Sequence, residues 1–132
     1  MKDEDTKAEL EPRRILVVDD EDMVAEVASM HLKKAGYNVD VYLDSTAALA
    51  HFKENHALIS LVIIDMIMPK MDGPTLYREM RALSPRVPIV LSSGFSIDGI
   101  AQSLLDDGAR AFIQKPFRRA ALIETIQSAL DD

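Results

Sequence analysis

The chain has 132 residues, no cysteine, and 22 acidic against 15 basic residues, for a formal net charge of −7. A chain of this length forms one domain whose core needs no disulfide or structural metal, and the lack of cysteine excludes thiolate metal sites. The acidic balance disfavours direct nucleic-acid binding, which requires a basic face. No apolar run approaches the roughly 20 residues of a membrane span, and the polar N-terminus has no secretory signal, so we expect a cytoplasmic protein without membrane contact.

The first half of the chain alternates between strand and helix patterns. Residues 15–18 are a continuous apolar run, which is typical of a strand buried on both faces. Apolar residues at helical spacing follow, and Gly36 ends that helix. Residues 39–43 form a short strand, and Asp44 or Ser45 caps the helix after it.

The second half repeats this alternation. Residues 61–64 and 87–91 are apolar strands, and Pro74 marks the first turn of a helix between them. A helix is predicted over about 97–105. It is weaker than the others because Gly99 inside it costs roughly 1 kcal/mol of helix propensity.

The end of the chain completes a regular order of elements. Residues 111–113 form a last short strand, and an amphipathic helix follows. The polar residues 1–13 predict a flexible N-terminal tail, which leaves 14–132 as the folded domain. Five strands alternating with five helices imply an α/β fold with a parallel sheet covered on both faces.

Polar side chains directly follow four of the predicted strands, at the edge of the sheet where ligands bind. In chain order they are Asp19, Asp20, Asp65, Ser92, Ser93 and Lys115. One acid at a strand end usually caps a loop or helix, but three acids beside a hydroxyl and a lysine indicate a site. Hard oxygen ligands in this number suit Mg²⁺ with retained waters.

Four motifs at these strand ends resemble the receiver domain of two-component response regulators, the CheY-like proteins. They are VVDDE at 17–21, DMIMPKMDG at 65–73, SG at 93–94 and KPF at 115–117. The resemblance implies a doubly wound, flavodoxin-like (βα)5 fold with the parallel sheet order 2-1-3-4-5. It assigns 14–132 as the receiver domain.

The resemblance further implies a metal-dependent phosphoacceptor. Asp65 accepts the phosphoryl group. Asp65, Asp19, Asp20 and the backbone carbonyl of Ile67 bind Mg²⁺, for which Mn²⁺ can substitute. Electrostatics agrees, because a carboxylate that attacks a phosphoryl group needs the repulsion between the two anions cancelled.

Three more residues carry roles implied by the family. Ser93 and Lys115 contact the phosphoryl oxygens, and Phe112 is the switch residue. Phosphorylation draws in the Ser93 hydroxyl, Phe112 rotates inward, and the surface over residues 97–130 changes as a two-state element. The Lys115–Pro116 bond is expected to be cis.

The family also implies the partners. A histidine kinase or histidine phosphotransfer protein supplies the phosphoryl group, and a downstream protein binds residues 97–130. We expect a monomer or weak dimer that is a signalling phosphoacceptor rather than an enzyme. Its autodephosphorylation is expected to be slow, because Ile67 and Phe95 are apolar at positions that influence the hydrolytic water. The segments SGF at 93–95 and GPTLY at 73–77 resemble those of receivers fused to hybrid sensor histidine kinases, although the Met1 start favours an independent product.

Two alternatives remain open. A pseudo-receiver that binds partners without phosphorylation usually lacks one of the acids or the lysine, and all are present here. A phosphatase of the haloacid dehalogenase type shares a nucleophilic Asp after an apolar strand. It also needs a second Asp two positions later, where this chain has Ile67.

Overall fold

The structure is a computed structural model that describes residues 13–131, so the tail predicted over 1–13 lies almost wholly outside the described residues. Within them, the strands are β1 (Arg14–Val18), β2 (Asn38–Tyr42), β3 (Leu61–Asp65), β4 (Ile89–Ser93) and β5 (Ala111–Gln114). The helices are α1 (Asp22–Lys34), α2 (Ser45–Asn55), α3 (Gly73–Leu83), α4 (Gly99–Asp107) and α5 (Arg119–Asp131), with a short 3₁₀ helix at His56–Leu58. None of the helices in 13–131 is both long and apolar enough to cross a membrane.

All neighbouring strands are parallel, and their order is β2-β1-β3-β4-β5. This confirms the predicted fold and the 2-1-3-4-5 order. Asp65 at the end of β3 pairs in register with Ser92 of β4, so the polar strand ends do lie at one edge of the sheet. Parallel strands buried on both faces explain the uninterrupted apolar runs in the sequence.

The core consists of one apolar cluster on each face of the sheet. Alternate residues of the central strands, such as Leu16 and Ile64, pack against α2, α3 and α4. The residues between them, such as Val17 and Ile63, pack against α1 and α5. The two layers cover both faces of the sheet and leave its carboxyl edge to the loops.

Two predicted strands are displaced along the chain. The fourth strand covers Ile89–Ser93 instead of 87–91, because Val87 donates its N–H to the turn carbonyl of Ser84 and the ladder begins at the carbonyl of Pro88. The two serines therefore belong to the strand itself. The second strand is shifted by a single residue, to Asn38–Tyr42.

The fourth helix also starts later than predicted. It begins at Gly99 because Asp98 caps it and accepts a hydrogen bond from the N–H of Ala101 at 2.8 Å. Gly99 is thus the first helical residue, where the interior propensity cost does not apply. Asp44, and not Ser45, caps α2. The Lys115–Pro116 peptide bond is cis, as expected.

Candidate functional site

Four strand ends bring a compact polar group to the carboxyl edge of the sheet. Asp19, Asp65, Ser93 and Lys115 are all buried. Ionisable side chains are rarely this buried unless they are paired or bind a ligand. One predicted site residue from each of β1, β3, β4 and β5 is therefore buried at the same edge of the sheet.

Lys115 is the positive centre of this cluster. Its Nζ donates to Oδ2 of Asp19 at 3.0 Å and to Oε1 of Glu21 at 2.9 Å. The same Nζ lies 3.4 Å from Oδ1 of Asp65. Burial acts to lower the pKa of Lys115, but the hydrogen bonds to Glu21 and Asp19 and the nearby negative charges outweigh it and raise this pKa. The ammonium group is therefore charged at neutral pH.

Asp65, in contrast to Lys115, has a pKa shifted toward its neutral form. Burial, followed by the negative charge of Asp19, raises the pKa of Asp65 from 3.8 to about 7. The Lys115 charge and the N–H of Ile67, which is 3.4 Å from Oδ1 of Asp65, oppose this rise. The charge of Lys115 is therefore not enough to keep Asp65 fully ionised at neutral pH. A cation at the site would favour the ionised form of Asp65.

Three carboxylates in the site can share a metal ion. One oxygen from each of Asp19, Glu21 and Asp65 lies within 4.8 Å of the others. Three negative charges against one ammonium leave an excess that a divalent cation neutralises, and oxygen ligands are those that Mg²⁺ prefers. The donor set therefore fits Mg²⁺.

Glu21 and Asp20 are arranged differently from the sequence expectation. Sequence reasoning named Asp20 as a ligand and missed Glu21. The structure leaves Asp20 exposed and outside the converging group, although its side chain still raises the pKa of Asp65. The acidic run at 19–22 contained the signal for Glu21, but only the turn after β1 decides which acids point inward. Asp20 as a metal ligand stays a prediction.

Ser93 and Phe112 border a cavity beside the acidic cluster. Ser93 Oγ accepts a hydrogen bond from the N–H of Phe95 at 3.1 Å. The cavity has a volume of about 330 Å³ and is lined by both residues together with Met66, Ile67 and Ala101. Phe112 is partly buried against the core, so a space for side-chain movement lies next to the predicted switch residue.

Gly73 is a further site residue that sequence reasoning did not single out. A Cβ on Gly73 would lie 2.5 Å from the backbone oxygen of Asp65 and 2.6 Å from Cα of Met66. Both are backbone atoms that cannot move aside. Only glycine lets the start of α3 pack this closely against the end of β3.

Comparison with known proteins decides the family. The chain matches the response regulator receiver domain over residues 15–127. This chain belongs to the response regulator receiver domains. It is therefore a module of two-component systems.

The chain is similar both to one segment of a much longer protein and to receiver domains of about its own length. It is 34% identical over 117 residues to the sensor kinase CckA of Brucella abortus, an overlap that covers 89% of this chain but 12% of that kinase. A receiver domain protein from Clostridium thermocellum superposes with a TM-score of 0.85 at 30% identity and covers 90% of this chain and 94% of that one. A chain of the CheX–CheY–BeF₃–Mg²⁺ complex from Borrelia burgdorferi has a TM-score of 0.84 at 27% identity and covers 89% and 88%.

Proposed function

We propose that this receiver domain accepts a phosphoryl group on Asp65 from a phosphohistidine donor, in a reaction that depends on Mg²⁺. The observation that supports the proposal most directly is the buried Asp65 carboxylate, with Nζ of Lys115 3.4 Å away. A carboxylate nucleophile fixed beside a positive charge is what phosphoryl transfer requires, since the protein supplies mainly position and charge.

Asp19 and Asp65, the two buried acids of the cluster, would hold the ion, and Asp20 and the Ile67 carbonyl are the further ligands implied by the family; Glu21 stays paired with Lys115. Bound Mg²⁺, or Mn²⁺ in its place, supplies positive charge against the phosphoryl oxygens and the Asp65 carboxylate. In its absence the pKa of Asp65 is about 7, so part of the population is protonated at neutral pH and cannot attack.

The transfer step uses three side chains of this chain. A carboxylate oxygen of Asp65 attacks the phosphorus, an O–P bond forms, and the P–N bond to the donor imidazole breaks with its electron pair left on nitrogen. Lys115 donates to one phosphoryl oxygen. Ser93 donates to another, because its hydroxyl only accepts from Phe95 and keeps its own proton for donation.

The phosphoryl group then changes the surface that a partner reads. Movement of Ser93 toward the new oxygens opens the side of the cavity that Phe112 borders, and Phe112 turns inward. The surface over residues 97–130, which includes α4, β5 and α5, changes with it. A downstream protein binds this surface in only one of the two states.

The donor is a histidine kinase or a histidine phosphotransfer protein in the cytoplasm. The chain is a monomer or weak dimer and a signalling phosphoacceptor, with catalysis limited to its own phosphorylation and slow autodephosphorylation. The Borrelia burgdorferi complex supports this proposal, because a similar chain was solved with BeF₃ and Mg²⁺. Fusion to a kinase, as the similarity to CckA suggests, is compatible with the same role.

A labelling experiment tests the proposal. The protein is incubated with acetyl phosphate and Mg²⁺, and its intact mass and modified residue are determined by mass spectrometry. We expect one phosphoryl group on Asp65, no label in Asp65→Asn or with EDTA, and normal labelling in Glu79→Gln, which removes an exposed acid of α3 away from the site.

Other outcomes distinguish the alternatives. A folded wild type without label indicates a pseudo-receiver. Continuous release of phosphate without a stable label indicates a phosphatase. Equal labelling of wild type and Asp65→Asn contradicts the assignment of the acceptor.

A further inference from the structure

The ammonium group of Lys115 lies closer to an outer acid than to the phosphoacceptor. Its Nζ is 2.9 Å from Oε1 of Glu21 but 3.4 Å from Oδ1 of Asp65. The side chain of Lys115 is 7% exposed and that of Glu21 is 60% exposed. This ion pair therefore spans the boundary between the buried site and solvent.

The backbone leaves the Glu21 side chain available for this contact. Glu21 is the N-cap residue of α1, but its side chain makes no capping hydrogen bond. Its N–H donates to Oδ1 of Asp19 at 2.9 Å, which ties the start of α1 to the acidic cluster. The Glu21 carboxylate thus pairs with Lys115 instead of the helix N–H groups.

Lys115 donates two hydrogen bonds, to Asp19 and Glu21, and its contact with Asp65 is an ion pair at 3.4 Å. These two hydrogen bonds hold Nζ at a distance from Asp65. Movement of the ammonium group toward a phosphoryl oxygen on Asp65 therefore lengthens or breaks one of them. Glu21 is the partner whose release costs least, because water replaces an exposed ion-pair partner and does not reach a buried one.

We propose that Glu21 is a positioning residue that competes with the phosphoryl group for Lys115. Glu21 holds the ammonium group at the mouth of the site until Asp65 is phosphorylated, and it slows the approach of Lys115 to the phosphoryl oxygens. The inference rests on the proposed function of Asp65 and Lys115, to which it adds a residue that limits the rate.

Four proteins test the competition: wild type, Glu21→Gln, Glu21→Asp and Asp22→Asn. Glu21→Gln removes the charge at constant size. Glu21→Asp keeps the charge but shortens the side chain and favours capping of α1. Asp22→Asn is the matched control, since Asp22 is the exposed neighbouring acid and its loss changes the net charge equally.

Two measurements are made on each protein. The initial rate of Asp65 phosphorylation by acetyl phosphate is measured at saturating Mg²⁺, so that differences in metal affinity do not enter. Separately, the lysine Cε–Hε signals are recorded by NMR without metal or donor, and the Lys115 signal is assigned with Lys115→Arg. The second measurement reports the contact itself and requires no phosphorylation.

We expect Glu21→Gln and Glu21→Asp to be phosphorylated faster than Asp22→Asn, on the order of fivefold, the factor expected for an exposed ion pair. We also expect both Glu21 variants to shift the Lys115 signal and the control to leave it in place. Rates in the Glu21 variants at or below that of Asp22→Asn overturn the inference, as does an unshifted Lys115 signal. If the wild type itself carries no label on Asp65 while the Lys115 signal still shifts, the proposed function fails and the contact stands.

Discussion

At the scale of single residues, the mouth of the acidic site carries two exposed apolar side chains. Ile67 is 60% exposed and Phe95 is 68% exposed, on the loops that follow β3 and β4. Apolar side chains offer a hydrolytic water no hydrogen bond to orient it. The proposed phosphoryl group on Asp65 should for this reason be lost slowly.

Polar replacements at these positions should shorten the lifetime of the phosphoryl group. Ile67→Asn and Phe95→Glu each place a hydrogen-bonding group near the attacking water. We expect autodephosphorylation several-fold faster than in wild type, which is less than the roughly 10²-fold that a well-positioned acid or base contributes. The decay of label after donor removal measures it. Leu58→Asn, an exposed apolar residue outside the site, is the control. Equal decay in all four proteins would show that these side chains do not control hydrolysis.

Helix α3 and strand β3 meet with almost no space between them. The N–H of Gly73 donates to the carbonyl of Met66 at 3.0 Å, and Asp72 caps α3 by accepting from the N–H of Thr75 at 2.9 Å. The loop between them is further tied down by Lys70, whose Nζ is 2.8 Å from Oδ2 of Asp44 at the start of α2. These contacts hold the end of β3 and the start of α3 together, whereas residues of α4 and β5, which is separated from β3 by β4, line the cavity beside Ser93.

The elements that border the cavity, α4 and β5, should change in amide hydrogen exchange when BeF₃⁻, an analogue of the phosphoryl group, binds. With BeF₃⁻ and Mg²⁺, we expect amide hydrogen exchange to change in α4, β5 and α5 and to stay constant in α2, which lies away from the cavity. Phe112→Ala should reduce the change, because it removes the side chain that couples Ser93 to the surface. A change of equal size in Phe112→Ala would exclude Phe112 as the switch.

The whole molecule is less stable at neutral pH because Asp65, the proposed phosphoacceptor, is a buried acid beside a second buried acid, Asp19. Asp65 has a folded-state pKa of about 7 against an ordinary value of 3.8. Between these two pH values the folded state binds more protons than the unfolded state. The protonated Asp65 therefore contributes fully to the free energy of unfolding below about pH 4, and its contribution is lost as the pH rises through about 7. The loss at neutral pH is up to about 4 kcal/mol, at about 1.4 kcal/mol per pKa unit.

Replacing this acid should make the metal-free fold more stable at high pH. Asp65→Asn is expected to exceed wild type by up to about 4 kcal/mol at pH 8 and to match it near pH 4, as measured by urea unfolding with EDTA. Asp44→Asn is the control of opposite sign, because its partner Lys70 lowers the pKa of Asp44. That variant should be less stable than wild type at neutral pH and equal to it in acid. A difference between Asp65→Asn and wild type that does not vary with pH would contradict the raised pKa.

The amino-acid sequence by itself determined the order of elements and the edge of the sheet that carries the site. Continuous apolar runs, such as residues 61–64, specify strands buried on both faces, and Asp65 or Lys115 directly after a strand has to lie at the carboxyl edge. Hydrophobic periodicity and turn chemistry are local properties, so they can be read from neighbouring residues.

Only the tertiary structure decided which side chains meet at that edge. The pairing of Glu21 with Lys115 joins residues far apart in the chain. The exposure of Asp20 and the close approach of Gly73 to Asp65 depend on how the turn after β1 and the start of α3 pack at the end of the sheet. The shifted start of β4 has the same cause, since its ladder partners belong to β3 and β5. Residue spacing along one segment does not specify distances between segments, because these follow from how the helices and the sheet pack.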